Sequence, residues 1–130
     1  MENSINKLRI GIVGLGRVAT ATHIPVLKLL NNVEITACAE KNIDRVHRVK
    51  EFLSIPNIFS DYRKMYESKL VDAVYICLPT DLHYDATISA LRNGLHVLCE
   101  KPMGRTLEEA TEMNSLALKN KLILMPGFKY

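Results

Sequence analysis

Two short stretches of the chain combine residue types that could do chemistry. The first is "GLGRVA", Gly14 to Ala19, which follows an apolar run. Its GxGxxA spacing lets one glycine make a tight turn and the next admit a pyrophosphate close to the backbone, while a small third residue lets a helix pack on its strand. Free amides and the positive end of that helix would then face phosphate oxygens. The plainer reading is a strand-to-helix turn that uses glycine only for backbone freedom. The second stretch is "LHVLCEKPM", Leu95 to Met103, where an apolar run ends in Glu100, Lys101 and Pro102. It reads either as a solvated turn or as a strand that aims a lysine into a reaction site.

A third feature stands between them. The second apolar run ends at Glu40, 21 residues beyond Ala19, and Lys41 follows directly. A carboxylate in that place accepts from both hydroxyls of an adenosine ribose and repels a 2′-phosphate. A lysine would welcome the same phosphate. Glu40 therefore points to NAD and Lys41 to NADP, and the position of the carboxylate at the strand end tips the expectation to NAD.

These residues need a scaffold that brings strand ends together. Apolar runs without polar alternation occur at 8–14, 33–40, 71–79, 95–100 and 122–128, with a weaker one near 56–59. Such runs read as strands buried on both faces. Helical spacing lies between them. Leu82, Ala86, Ile88, Ala90 and Leu91 form one apolar side over 82–92, stopped by Asn93-Gly94. Thr106 and Glu109 form a capping box for 107–120, Asn42 caps the helix carrying Asp44 to Leu53, and Ser60 caps "DYRKMYES". In "ATATHIPVLKLL", Pro25 cannot donate to the preceding turn, which predicts a kink or restart near Ile24. His23 reads there as a cap or a core-edge residue rather than a ligand. Strands alternating with crossover helices imply an α/β domain, a doubly wound parallel sheet of about six strands with helices on both faces.

Composition sets the outer bounds. The 130 residues are 48% hydrophobic and 24% charged, ordinary for one globular domain with a real core. The net charge of +3 is scattered, and "DRVHRVKE" (Asp44 to Glu51) reads as the solvated face of a helix rather than a nucleic-acid patch. No apolar run reaches membrane-spanning length and no secretory signal opens the chain, so the expected address is cytoplasmic. The three cysteines, Cys38, Cys77 and Cys99, lack CxxC spacing and read as buried thiols, with no metal site.

With these motifs in view, the sequence resembles the Gfo/Idh/MocA oxidoreductase family. The likeness rests on residues 14–27, on "VDAVYICLPTDLHYDATISALRNGLHVLCEKPMGRTLEEA" (71–110), and on "LILMPGFKY" (122–130). It implies a Rossmann domain for 1–130, followed in the family by a larger α/β substrate domain. Family members use nicotinamide cofactors to oxidise or reduce sugars, cyclic polyols and related carbonyl compounds. The resemblance places Gly14, Leu15, Gly16, Arg17 and Val18 in the pyrophosphate loop and Glu40 and Lys41 at the adenosine ribose. It places Leu78, Pro79, Thr80 and His83 along the middle of the cofactor, and Glu100 and Lys101 beside the nicotinamide. Lys101 is the implied catalytic residue, since an ammonium near a carbonyl oxygen polarises it and a desolvated lysine exchanges its proton. Two plainer readings stand beside these: Thr80 or Asp81 could cap the next helix, and His83 could be exposed in its first turn.

The sequence departs from the family at its end. "MPGFKY" resembles the end of the sixth Rossmann strand, where the family chain crosses into its second domain, and Lys129 stands where many members of that family carry asparagine. The expectation is a cofactor domain whose substrate half is absent or supplied by another chain. The alternative is a non-catalytic dinucleotide-binding module. Either way "LILM" would lie exposed at a sheet edge, which invites a homodimer.

Overall fold

The computed structural model describes residues 6–128. Its strands are β1 (Leu8–Val13), β2 (Val33–Ala39), β3 (Asn57–Phe59), β4 (Ala73–Ile76), β5 (His96–Glu100) and β6 (Leu124–Gly127). They hydrogen-bond in the order β3-β2-β1-β4-β5-β6, every neighbouring pair parallel. The order reverses between β1 and β4, and a crevice forms beyond the carboxyl ends of strands at such a point. The expected doubly wound sheet is therefore present.

The side-chain alternation of the strands explains the two layers. Ile10 and Ile12 of β1 pack with Ala19, Ile24 and Leu27 of helix α1 (a π-helical turn, Ala19–His23, followed by Ile24–Leu27) and with Val49 of α2 (Ile43–Phe52). Val13 faces the other way, into the core made by α3 (Tyr62–Glu67), α4 (His83–Arg92) and α5 (Leu107–Lys119). Gly11 shares that second face, and a Cβ there would lie 2.9 Å from the Met65 methyl. Tyr66 of α3 is fully buried, its hydroxyl donating to the Ala86 carbonyl at 3.1 Å.

Helix α1 changes pitch where Pro25 predicts a break. It is π-helical over Ala19–His23 and α-helical over Ile24–Leu27. The Ile24 N–H reaches back to the Ala19 carbonyl, one residue further than an α-helix allows. The proline ring disfavours a close carbonyl in the turn before it, and the wider turn relieves that contact.

Three of the expected caps need correction. Asn42 caps α2 as read, accepting from the amides of Asp44 and Arg45. For α3 the cap is Asp61 and not Ser60: the Asp61 carboxylate accepts from the Arg63 amide at 2.9 Å. Thr106 accepts from the Glu109 amide at 3.1 Å, but Glu109 reaches past the cap to the Arg105 amide at 2.8 Å. Its other oxygen meets the Arg105 guanidinium, which a capping box does not supply. Neither Thr80 nor Asp81 caps α4; a single 3-10 turn, Thr80–Leu82, leads into it, and Leu82 is 41% exposed.

The layer carrying α1 and α2 leaves part of the sheet uncovered. Tyr75, Leu98, Ile123 and Met125 line an open apolar surface beside Leu27 and Leu30. β6 forms the sheet edge, where Pro126 is tolerated because an edge strand need not donate outward. Among the described residues no helix is long and apolar enough to cross a membrane.

Candidate functional site

The chain leaves β1 through Gly14, whose φ of +87° lies in the left-handed region. Its amide donates to the Ala39 carbonyl at 2.9 Å. A Cβ on Gly14 would lie 2.8 Å from the Cys77 carbonyl oxygen, so this glycine is required by conformation and by space. Gly16 is different. A Cβ there would meet only the Arg45 guanidinium, at 4.0 Å, so the backbone is open to an approaching group. Arg17 and Val18 are exposed in the first helical turn, where the leading amides of a helix have no intrahelical partners. Leu15 points the other way and is buried.

Glu40 closes the far side of this loop. Its carboxylate accepts from the Leu15 amide at 2.8 Å and from the Asn42 amide at 2.9 Å, and Arg45 lies 3.6 Å away. Burial is the largest single influence on its ionisation and disfavours the charge. The amides of Asn42 and Leu15 and the Arg45 guanidinium together outweigh burial and hold the carboxyl below its usual range. Glu40 is thus an anion at neutral pH. A cavity of about 340 Å³ opens beyond β1, β2 and β4, lined by Gly14, Glu40, Lys41, Leu78 and Pro79 with Arg45 at its side. Leu15, Gly16 and Arg17 line a neighbouring cavity of about 480 Å³.

The remaining nominated residues fall outside that groove. Thr80 begins the turn into α4 and is half-buried. His83 is 1% exposed, which corrects the reading of a solvent-facing first turn. Both ring nitrogens lie 2.7 Å from carbonyl oxygens, Nδ1 from Pro102 and Nε2 from Leu78. His83 therefore ties the loop after β4 to the turn after β5. Its place is behind the groove rather than in its lining.

Glu100 and Lys101 end β5 as expected. The Lys101 side chain is exposed, its amide donates to Glu100 Oε2 at 3.3 Å, and the Lys101–Pro102 peptide is cis. Glu100 Oε1 is hydrogen-bonded to His23 Nε2 of α1. The His23 ring stands edge-on to Tyr75, with centroids 5.2 Å apart. Gly127 leaves room for the same carboxylate, since a Cβ there would lie 3.2 Å from Glu100 Oε1. His23, expected as a cap or a core-edge residue, makes no side-chain cap bond and instead holds the nominated Glu100. Its signal was position, one turn beyond a phosphate-type loop, but nothing in the sequence pairs it with a residue 77 positions away. Lys129 lies outside the described residues.

Cys38 and Cys99 are buried, and Cys77 is half-buried at the wall of the groove. Burial pushes the Cys38 and Cys77 thiols up to about 12 and Cys99 to about 11. They are not poised as nucleophiles.

Comparison with known proteins agrees with this geometry. The profile of the oxidoreductase family with an NAD-binding Rossmann fold, GFO_IDH_MocA, matches residues 8–128. A myo-inositol 2-dehydrogenase of Thermotoga maritima is 33% identical over 93% of this chain and 36% of its own length. A dTDP-3,4-didehydro-2,6-dideoxy-alpha-D-glucose 3-reductase of Actinomadura kijaniata is 34% identical over 100% of this chain and 40% of its own. Among solved structures, scyllo-inositol dehydrogenase from Lactobacillus casei with bound NAD(H) and scyllo-inositol superposes with a TM-score of 0.87 at 27% identity, over 94% of this chain and 36% of that one. A 3-ketoreductase from Actinomadura kijaniata in complex with TDP-benzene and NADP gives 0.88 at 34% identity, over 95% and 39%. The chain spans little more than a third of the length of these relatives. It belongs to the GFO_IDH_MocA oxidoreductase family, of which it carries the NAD-binding Rossmann-fold domain.

Proposed function

We propose that the domain holds a nicotinamide dinucleotide across the carboxyl ends of β1, β2, β4 and β5. It would serve as the cofactor half of an oxidoreductase that moves hydride between nicotinamide and a sugar, cyclic polyol or related carbonyl compound. The observation that carries this reading is the contrast of the two loop glycines: Gly14 turns the chain where no side chain fits, and Gly16 opens the backbone to an incoming phosphate. Gly14, Leu15, Gly16, Arg17 and Val18 form the pyrophosphate loop. Glu40, with Lys41 beside it, reads the adenosine ribose. Leu78 and Pro79 line the middle of the groove, Thr80 begins the turn beside it, and Glu100 and Lys101, beyond its wall at the end of β5, would meet the nicotinamide end of the cofactor.

When bound, the nicotinamide supplies the hydride acceptor or donor. Lys101 and Glu100 of this domain would contribute the acid–base part. In the reductive direction the Lys101 ammonium polarises the substrate carbonyl and gives its oxygen a proton as hydride reaches the carbon. In oxidation the neutral amine takes the hydroxyl proton back. Glu100, fixed by His23, keeps the Lys101 backbone in place.

Glu40 sets the preference for NAD, because its charge repels a 2′-phosphate. Calorimetric titration of the 130-residue chain should show saturable binding of NAD+, tighter than that of NADP+. NADP+ binding ten times tighter than NAD+ overturns the preference, by roughly 1.4 kcal/mol. Binding of neither dinucleotide overturns the reading itself.

The open apolar surface carries a second proposal. With Ile123 63% and Met125 53% exposed beside the β6 edge, the isolated chain should self-associate as a homodimer or larger species. Light scattering that gives the monomer mass at high concentration contradicts this.

A further inference from the structure

β6 closes the sheet with only four residues, none of them fully buried, and Pro126 among them has no amide to donate. An edge strand built this way hangs on few bonds. One of them is made to a side chain. Just before the strand, the Ile123 amide donates to the imidazole Nδ1 of His96 at 3.0 Å, while the Ile123 carbonyl accepts from the Val97 amide at 2.9 Å. β5 begins at His96, whose own amide donates to the Asp72 carbonyl at 3.2 Å. The ring thus fastens the start of β6 to a residue that the backbone fixes to the loop before β4.

An imidazole accepts at Nδ1 only while that nitrogen keeps its lone pair, so the ring that holds Ile123 is neutral and carries its proton on Nε2. The protonated ring has an N–H at both nitrogens, and Nδ1–H would face the Ile123 N–H, donor against donor. His96 stands between two surfaces. On one side lie the apolar Leu98, Ile123 and Met125, where Tyr75 is the only other titratable group among the described lining residues. On the other lie Arg9 of β1 with Lys69 and Asp72 from the segment before β4. Asp72 is the one carboxylate there, and Arg9 already holds both of its oxygens, at 3.1 and 2.8 Å. A charged ring therefore gains no free carboxylate in exchange for the amide it gives up. We propose that His96 is an acid-sensitive latch on the sheet edge. Neutral, it keeps the start of β6 on β5; protonated, it lets that end of the strand go. The same strand carries Gly127, which pairs with Glu100 and leaves room for its carboxylate, so the latch acts on the strand that backs a nominated site residue. The inference stands apart from the dinucleotide reading.

Amide hydrogen exchange of the 130-residue chain, followed by NMR and expressed as protection over the intrinsic rate at each pH, tests the latch. Between about pH 8 and about pH 5, where histidine changes charge, protection of the Ile123 amide should fall at least about threefold, the effect of one lost hydrogen bond. The Ile12 amide, at the centre of the sheet, should keep its protection. His96→Asn offers Oδ1 as an acceptor at the same remove from the backbone as Nδ1 and does not titrate, so Ile123 should stay protected throughout. His96→Leu has no acceptor and should leave that amide unprotected at both ends of the range. Should either variant fail to fold, the wild-type comparison of Ile123 with Ile12 decides alone. A smaller fall at Ile123, a fall that Ile12 shares equally, an Ile123 amide unprotected already at about pH 8, or the same fall in folded His96→Asn overturns the latch.

Discussion

Gly14→Ala should destabilise the domain by about 2–5 kcal/mol and remove measurable dinucleotide binding. Two costs add. At φ +87° an L side chain pays about 1–2 kcal/mol that glycine does not. The new Cβ would also press against backbone, 2.8 Å from the Cys77 carbonyl oxygen and 3.1 Å from its carbon. Backbone cannot rotate away as a side chain can, so the loop or the end of β4 must shift, at about 1–3 kcal/mol more. For a chain of this size the loss corresponds to a Tm lowered by on the order of 10 °C. Gly16→Ala is the matched control. Its methyl would find open space, so the fold should melt as the wild type does, while the closest approach to a pyrophosphate is lost. Thermal melts and NAD+ titration of both variants separate the two roles. A Gly14→Ala domain that melts with the wild type would show that the turn relaxes without cost.

That pair of glycines shows how far sequence reasoning reaches. The GxGxxA spacing identifies a loop in which the glycines have different duties, because the strand before it and the helix after it are both visible as patterns. The six strands are legible for the same reason: continuous Val, Ile and Cys runs have nowhere to go except a sheet covered on both faces. Asn42 and Thr106 are legible as caps because capping is local, settled within three residues. Where a cap failed, a neighbour with a stronger acceptor won. Asp61 offers a carboxylate where Ser60 offers a hydroxyl, and the charged acceptor captures the Arg63 amide. Glu109 passes over the cap because the Arg105 guanidinium, with the amide of the same residue, gives its two oxygens a better pair of donors.

What local reasoning misses is the contact made by topology. His23 meets Glu100 only because β1 and β4 are adjacent at the sheet centre and β5 lies next to β4, which brings the helix after β1 over the end of β5. His83 reads in sequence as a residue along the middle of the cofactor or as an exposed residue of a first helical turn, and in the fold it is a buried link between two loops. The sharing of one cavity by Arg17, Arg45 and Arg48 was equally hidden. Within "DRVHRVKE" the arginines are part of an ordinary solvated helix face; only the crossover that sets α2 beside the phosphate loop gives them a common cavity.

Lys101 is the residue for which the two readings of the β5 terminus give opposite results. In an oxidoreductase that joins this domain to a substrate half, Lys101→Ala should lower kcat by about 10²–10⁴, the range lost with a positioned acid–base group. Cofactor affinity should change far less, because the turn that carries the side chain is held from elsewhere. The His83 ring fixes the Pro102 carbonyl, and Glu100 holds the Lys101 amide. The lysine side chain itself is exposed, so truncating it should cost the fold no more than about 0.5 kcal/mol. Steady-state kinetics with a sugar or polyol, alongside cofactor titration, reads both quantities. A solvated turn predicts unchanged turnover, and that result would end the catalytic assignment. Lys101→Arg divides the role further: arginine keeps a positive charge near the carbonyl but does not release a proton at any working pH. If polarisation alone is needed, Lys101→Arg should retain much of the rate that alanine loses. If the lysine carries the proton, arginine should fail nearly as badly as alanine, most of all in the oxidative direction, where the hydroxyl proton has to be accepted.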